Sequence, residues 1–337
     1  MSVSQLYNES SEHIRDRLQP NSVHSVITDP PYSMGIVNEK WDKVLPPQDI
    51  WNQCFEVLRP GGFCLAFGHT RLYHRLACQL EDAGFEIRDC LCWAYATGTP
   101  RPVNFDRAMD RIAGYKIDHE PDEAYEPQTE DGKTWEGWAN LLKPAWEPIV
   151  MAQKPIEGTY VENVLKWQSG GLNINACRMP YKDEADKQSM GGFEDFEGTD
   201  HGESRYFSAN VGGKKQCNVH PGGRWPANLV YLDPLFVQYD HIFMIPKPSK
   251  SEKGGDNPHP TVKPLRIMDR LIRLVTPKPS VTKSPVIVLD PFMGSGTTGV
   301  SAKMLGRSFV GFETDKEFYN TAVHRVQRRV IVDLGAS

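Results

Sequence analysis

Short apolar runs without polar alternation recur near both ends of the chain. Such runs are typical of parallel strands that are covered on both faces of a sheet. The predicted strands are residues 5–8, 25–28, 63–68, 87–96 (expected as a hairpin), 286–289 and 309–313. Helical patterns alternate with them, over residues 11–18, 47–58, 71–83, 264–275, 297–305 and 316–330. This alternation predicts an α/β fold with a mostly parallel sheet.

The middle of the chain does not show this alternation of predicted strands and helices. Residues 99–256 are rich in Gly, Pro, Trp and charged side chains, and residues 118–131 and 183–203 are acidic. Basic and aromatic positions are scattered between them, as at Arg101, Lys214-Lys215 and Arg224-Trp225. The pattern predicts three parts, with residues 99–256 inserted between residues 1–98 and 257–337.

Composition excludes several classes of protein. The 337 residues are 39% hydrophobic with a net charge of −5, so the chain is globular and any contact with a polyanion must be local. The seven cysteines include no Cys-x-x-Cys pair, which favours reduced thiols over a metal site. Neither a basic-then-apolar leader nor an apolar run of membrane-spanning length is present, so we expect a cytoplasmic protein without membrane contact.

A glycine-rich turn follows the predicted strand 286–289. The sequence there is Asp290-Pro291-Phe292-Met293-Gly294-Ser295-Gly296-Thr297-Thr298-Gly299. Two closely spaced glycines let a ligand approach the main chain, and a helix start after them presents free N–H groups. We expect Thr297 or Thr298 to cap that helix.

Taken alone, this turn is also compatible with a dehydrogenase. Gly294-x-Gly296-x-x-Gly299 matches the dinucleotide fingerprint, and Glu313 follows the next strand, where an acidic residue would bind ribose hydroxyls. A P-loop is excluded, because no Gly-Lys-Ser/Thr follows.

A second motif follows the predicted strand 25–28, with the sequence Asp29-Pro30-Pro31-Tyr32. Two consecutive prolines fix the backbone and remove two N–H donors. The Asp29 carboxylate and the Pro30 carbonyl are therefore held at the carboxyl end of the sheet, where open α/β sheets bind ligands.

Together the two motifs resemble those of the S-adenosylmethionine-dependent DNA amino-methyltransferases, which methylate N6 of adenine or N4 of cytosine. Asp29-Pro30-Pro31-Tyr32 looks like their catalytic motif, and residues 290–298 look like their cofactor loop. His259-Pro260-Thr261-Val262-Lys263-Pro264 is similar to the motif that precedes that loop. The catalytic motif comes first, which is the permuted order of the beta group. Residues 170–173 and 222–228 resemble a phage and prophage branch.

The resemblance implies a Rossmann-like sheet of seven strands in a circularly permuted order, with residues 99–256 as the target-recognition region. It implies S-adenosylmethionine as cofactor and double-stranded DNA as partner; a homodimer is left open. Asp29, Pro30, Pro31 and Tyr32 are the expected catalytic residues, with Tyr32 stacked on a flipped base and Trp93 and Tyr95 bordering its pocket. The residues expected at the cofactor are Asp290, Phe292, Gly294, Ser295, Gly296, Thr297, Glu313, Thr261, Lys263 and Glu9.

The expected target is N6 of adenine, because aspartate at the first position of the tetrapeptide favours adenine in this family. N4 of cytosine stays open as the alternative target. Methylation of RNA or of a protein glutamine, and a non-catalytic DNA-binding relative, are further alternatives.

Overall fold

A computed structural model gives the structure of the chain. The residues that it describes are 2–34, 43–95, 98, 102–117, 125–181, 183–184, 187, 220–231, 243–244, 248, 257, 259 and 262–327. The chain forms two compact units, one of Met1–Ala94 with Glu147–Ser337 and one of Tyr95–Trp146.

One sheet organises the larger unit. Within the described residues its strands are β1 (Ser4–Tyr7), β2 (Val23–Thr28), β3 (Leu58–Phe67), β4 (Glu86–Ala94), β5 (Trp146–Gln153), β6 (Leu229–Tyr231), β7 (Phe243–Met244), β8 (Ile287–Asp290) and β9 (Ser308–Phe312). Their order across the sheet is β1-β9-β8-β2-β3-β5-β4-β6-β7. β2 and β9 are buried along their whole length, as expected for strands covered on both faces.

Strand pairing confirms the permuted arrangement. β1, from the start of the chain, pairs in parallel with β9, from its end. β8 pairs in parallel with β9 and with β2, where Ser25 lies opposite Val288. The strands that lead to the two motifs are therefore neighbours, although about 260 residues separate them in sequence.

The middle of the chain contributes more to the sheet than its composition predicts. We expected seven strands, but the described residues form nine, and β5, β6 and β7 all fall within or overlap residues 99–256. β5 lies beside β3 and is antiparallel to it. The hairpin expected over residues 87–96 is wrong: β4 is a single strand, because β5 and β6 occupy the places beside it.

Nine α-helices are present in the described part of the chain. They are α1 (Ile14–Arg17), α2 (Gln48–Val57), α3 (Tyr73–Asp82), α4 (Phe105–Ile112), α5 (Glu130–Thr134), α6 (Tyr160–Trp167), α7 (Leu265–Val275), α8 (Thr297–Met304) and α9 (Lys316–Gln327). One apolar cluster joins α2 and α3 to the strands, with Trp51 fully buried, and another joins α7, α8 and α9. None of the helices in the described ranges is long and apolar enough to cross a membrane.

The start of α8 differs from the prediction. Its N-cap is Gly296, which has a φ of 79°, and no side chain caps the helix. The hydroxyl of Thr297 instead accepts a hydrogen bond from Arg325, and that of Thr298 donates to Sδ of Met268 at 3.9 Å. Both threonine hydroxyls are therefore committed to tertiary contacts.

The smaller unit, Tyr95–Trp146, contains α4 and α5. Asp110 joins them by accepting hydrogen bonds from the hydroxyls of Tyr125 and Thr129 and from the backbone of Gln128. Burial raises the pKa of Asp110, but these hydrogen bonds outweigh burial and hold it well below its ordinary value.

Candidate active site

The two sequence motifs begin from adjacent points at the carboxyl ends of β2 and β8. Thr28, the last residue of β2, donates a 2.7 Å hydrogen bond to the carboxylate of Asp290, the last residue of β8. Asp290 is 2% exposed, and its carboxylate also accepts the N–H of Phe292. Burial raises the pKa of Asp290 to about 6, although the hydrogen bonds from Thr28 and Phe292 oppose this shift.

Asp29 lies in a compact cluster with three other polar side chains. Its Oδ2 is 2.6 Å from Nζ of Lys263, and its Oδ1 accepts a 2.6 Å hydrogen bond from the hydroxyl of Tyr32. Oε2 of Glu147 lies 3.3 Å from Lys263 Nζ and 3.3 Å from the Tyr32 hydroxyl. The cluster brings two carboxylates, one ammonium group and one phenol together at the end of the catalytic motif.

Burial and neighbouring charges shift the pKa values of Lys263 and Tyr32. Burial alone would lower the pKa of Lys263, but the charges of Asp29 and Glu147 outweigh it and raise this pKa. The pKa of Tyr32 is well above 10, first because of burial and then because both carboxylates repel a phenolate. Lys263 is therefore a cation and Tyr32 a neutral hydrogen-bond donor at physiological pH.

The glycine-rich turn is tied to the end of β9. Gly294, at a φ of 48°, donates its N–H to Oε2 of Glu313 at 3.0 Å, and Oε1 accepts the N–H of Asp315 at 2.8 Å. Burial raises the pKa of Glu313, although these backbone hydrogen bonds oppose the shift. A Cβ on Gly294 would lie 2.6 Å from Nε2 of His259, so this position has no room for a side chain.

His259 packs beside that turn. Its ring lies 4.5 Å from that of Phe318 on α9. Burial, and then the positive charges of Lys263 and Arg325, lower its pKa to about 4, so the imidazole is neutral at physiological pH.

α9 holds the rest of the turn in place. Arg325 donates 2.7 Å hydrogen bonds to the carbonyl and hydroxyl of Ser295 and a 3.2 Å bond to the hydroxyl of Thr297. A Cβ on Gly296 would lie 2.9 Å from that of Ala322. α9 occupies the space that a side chain at position 296 would need. The proposed contact of Gly296 with a cofactor is therefore limited to its backbone.

The remaining predicted cofactor residues lie in different surroundings. Glu9 forms hydrogen bonds of 2.8 and 2.9 Å with Arg17, and the neighbouring Asn8 bonds to the carbonyl of Glu313. Phe292 is partly buried, with its ring 6.0 Å from Trp51. Thr261 lies outside the described residues.

Three findings add to the predicted site. Lys263, expected at the cofactor carboxylate, has its ammonium group 2.6 Å from the carboxylate of Asp29. Trp93, expected beside the target base, is 1% exposed and packs edge-on against Phe67. Glu147 was missed, although it directly precedes Pro148 and the apolar run of residues 149–152, which could have been recognised as a strand that begins with a carboxylate.

Comparison with known families identifies the chain. The N6/N4 methyltransferase family model, described as DNA methylase, matches residues 23–324. The chain belongs to this DNA methylase family. The match includes both motifs and the whole of the middle region, so the protein is a DNA methyltransferase of the N6/N4 type.

Two curated relatives show how similarity is distributed. The chain is 25% identical to the type II methyltransferase M.HindIII of Haemophilus influenzae over 368 aligned positions, covering 95% of this chain and 94% of that protein. It is 46% identical to the type II methyltransferase M2.LlaDCHI of Lactococcus lactis subsp. cremoris over 79 residues, or 23% of this chain and 27% of that protein.

Solved structures match most of the chain at low identity. M1.HpyAVI in complex with SAM is 20% identical, with a TM-score of 0.48, covering 97% of this chain and 100% of that one. The PvuII DNA methyltransferase, described as cytosine-N4-specific, is 14% identical, with a TM-score of 0.49, covering 99% of this chain and 89% of that one.

This family uses S-adenosylmethionine as methyl donor. The residues at the carboxyl ends of β8 and β9 fit such a donor. Glu313, beside the turn, is a hydrogen-bond acceptor of the kind that a ribose diol requires. Within the described ranges, no group of three His, Cys, Asp or Glu side chains is arranged to hold a metal ion.

Proposed function

We propose that the protein transfers a methyl group from S-adenosylmethionine to N6 of adenine in double-stranded DNA. The observation that carries the proposal is the position of Asp29 and Pro30 at the end of β2, beside β8 and its glycine-rich turn. Aspartate as the first residue of the tetrapeptide supports adenine, because the resembled family favours serine there for cytosine.

The reaction requires a better nucleophile than adenine offers. Its exocyclic amine is weakly nucleophilic, because the lone pair is delocalised into the ring. In the proposed complex the Asp29 carboxylate and the Pro30 carbonyl each accept one N–H of that amine. The lone pair is then localised on nitrogen and directed away from both acceptors, so the motif works through positioning and preorganised electrostatics.

A base inside a duplex cannot reach Asp29, so the adenine must be flipped out. We assign Tyr32 to stacking on the flipped base, a contact of about 1–3 kcal/mol. Pro31, between Tyr32 and Pro30, fixes the backbone that holds all three groups.

We assign the donor to the ends of β8 and β9. S-adenosylmethionine, when bound, supplies an electrophilic methyl group on a sulfonium centre. Glu313 accepts the ribose hydroxyls through lone pairs that remain beside its bonds to Gly294 and Asp315. The other residues assigned to this site are Asp290, Phe292, Gly294, Ser295, Gly296, Thr297, Thr261, Lys263 and Glu9.

We assign DNA recognition to the middle of the chain, as proposed for residues 99–256. Within the smaller unit, Trp138 is 60% exposed and Leu142 is 94% exposed, and Lys143 is exposed beside them. Ultraviolet crosslinking to DNA should therefore recover peptides from residues 125–146, and recovery of peptides only from outside 99–256 would refute the assignment. Similarity to type II methyltransferases supports a role in restriction and modification.

The target base is tested on unmethylated DNA made by amplification. After incubation with the protein and S-adenosylmethionine, the DNA is digested to nucleosides and analysed by mass spectrometry. N6-methyldeoxyadenosine is the expected product. N4-methyldeoxycytidine as the sole product would replace adenine by cytosine in the proposal, and long-read sequencing of the same DNA gives the recognition sequence.

A further inference from the structure

Both carboxylate oxygens of Asp29 already accept a hydrogen bond in this structure. One carboxylate oxygen accepts the Tyr32 hydroxyl and the other lies 2.6 Å from the ammonium group of Lys263. The proposed reaction needs a carboxylate oxygen of Asp29 to accept an N–H from the target amine. An oxygen that already accepts a bond from a buried donor offers less negative charge to a second donor, so release of one of these two bonds would make Asp29 a stronger acceptor for the incoming amine.

Tyr32 is the partner that can be released at the smaller cost. Lys263 is 8% exposed and would lose a bond between opposite charges in a buried site. The Tyr32 hydroxyl has one proton to donate, and Glu147 lies 3.3 Å from its oxygen as a second carboxylate acceptor. A rotation of the hydroxyl with a small movement of the ring would transfer its hydrogen bond from Asp29 to Glu147.

Lys263 makes the exchange electrostatically balanced. Its Nζ lies 2.6 Å from Asp29 and 3.3 Å from Glu147, so one cation serves both carboxylates. Redirecting the Tyr32 O–H from one carboxylate to the other moves no proton between residues, so the net charge of the two carboxylates and one ammonium group stays at −1.

We propose that Glu147 is a positioning residue, which receives the Tyr32 hydroxyl and so frees Asp29 for the target amine. Lys263 holds both carboxylates in place during this exchange. The inference rests on the proposed function only in its assignment of Asp29 to the amine, and it applies equally to an adenine or a cytosine target. Glu147 thereby couples entry of the base to release of the Asp29 carboxylate from the Tyr32 hydroxyl.

A double-mutant cycle between Glu147 and Tyr32 tests this role. The variants are Glu147→Leu, which removes the acceptor, Glu147→Gln, which keeps a carbonyl acceptor, Tyr32→Phe, and Glu147→Leu combined with Tyr32→Phe. Glu81→Leu, at an exposed position on α3, is the control for loss of a glutamate.

Tritiated methyl groups incorporated into total DNA are counted in single turnovers, whichever base carries them. Circular dichroism, titration with S-adenosylmethionine and the fluorescence of 2-aminopurine at the target position measure folding, donor binding and base flipping.

We expect Glu147→Leu to slow methyl transfer about 10- to 100-fold with unchanged donor binding and base flipping, as for a lost charge-assisted hydrogen bond. Glu147→Gln should recover most of that rate. In the Tyr32→Phe background, the same Glu147→Leu change should cost less than threefold, because no hydroxyl then competes with the amine for Asp29.

An equal loss in both backgrounds would overturn the proposal, since Glu147 would then act independently of the hydroxyl. Loss of donor binding or of folding in both Glu147→Leu and Glu147→Gln would also overturn it, because Glu147 would then be a structural residue. A cytosine product with an intact cycle would change the proposed target and leave this role of Glu147 standing.

Discussion

The hydroxyl of Thr28 donates a 2.7 Å hydrogen bond to the buried carboxylate of Asp290. Thr28 directly precedes the catalytic tetrapeptide, and Asp290 directly precedes the glycine-rich turn. Because β2 and β8 are neighbours in the sheet, this one contact fixes the distance between the motif assigned to the base and the turn assigned to the donor.

Holding a carboxyl group at this position should cost stability at neutral pH. The folded-state pKa of Asp290 is about 6, above the ordinary value of 3.8. Between these values the folded protein retains a proton that the unfolded chain has released. The stabilising contribution is therefore fully present below about pH 4 and is lost as the pH rises through 6, by up to about 3 kcal/mol.

Asp290→Asn should remove this loss while keeping an acceptor for Thr28. The difference in unfolding free energy between the variant and the wild type should grow in the variant's favour from pH 4 to pH 7, by about 1–3 kcal/mol. Urea denaturation at several pH values measures it, with Asp82→Asn on the exposed side of α3 as the control. A difference that is constant across this range would contradict the buried, proton-retaining state of Asp290.

Substitution of Gly296 should reduce stability more than substitution of Gly306, because Gly296 contacts α9. Gly296→Ala places a Cβ 2.9 Å from that of Ala322 at a φ of 79°, whereas Gly306→Ala, at the other end of α8, has a φ of 75° and meets only Pro279 at 3.8 Å. We expect Gly306→Ala to cost about 1–2 kcal/mol from backbone strain alone. Gly296→Ala should cost about 1–3 kcal/mol more. If urea denaturation gives equal losses of unfolding free energy for the two variants, α9 moves aside at this position without cost.

Glu313 should determine affinity for the methyl donor. Glu313→Gln removes the charge that strengthens hydrogen bonds to ribose hydroxyls, so we expect the dissociation constant for S-adenosylmethionine to rise about 10- to 100-fold. Isothermal titration measures it, and Glu317→Gln, exposed in the first turn of α9, should leave it unchanged. If both variants bind the donor like the wild type, the ribose lies elsewhere.

Lys263 should stabilise the cluster that it forms with Asp29, Tyr32 and Glu147. Lys263→Met leaves the carboxylates of Asp29 and Glu147 facing each other without a cation, and breaking such a buried pair costs about 3–5 kcal/mol of stability. Lys263→Arg, which keeps the charge, should stay closer to the wild type. Urea denaturation measures the difference, and a Lys263→Met variant as stable as the wild type would exclude this role.

The sequence predicted those parts of the site that are local in the chain. Asp29-Pro30-Pro31-Tyr32 and the turn after Asp290 are contiguous motifs, and each follows an apolar strand whose partner in the sheet follows from the permuted order. The contact of Thr28 with Asp290 is a direct consequence of that order.

The remaining features depend on contacts between distant residues. Glu147 lies 118 positions after Asp29, in a region of irregular composition, and only the pairing of β5 with β3 brings it to the site. Lys263 was expected at the cofactor from its motif, and its contact with Asp29 joins residues that are 234 positions apart in the chain. The packing of Ala322 against Gly296 is set by the position of α9, which no local pattern specifies.

The central claim is that Asp29 activates an adenine amine for methyl transfer. It is tested most directly by comparing wild type and Asp29→Ala on the same unmethylated DNA, with nucleosides quantified by mass spectrometry and donor affinity measured by titration. The account predicts N6-methyldeoxyadenosine from the wild type, less than about 1% of that amount from Asp29→Ala, and donor affinities within about tenfold of each other. Substantial N6-methyldeoxyadenosine from Asp29→Ala, or a wild-type product without methyladenine, would contradict it.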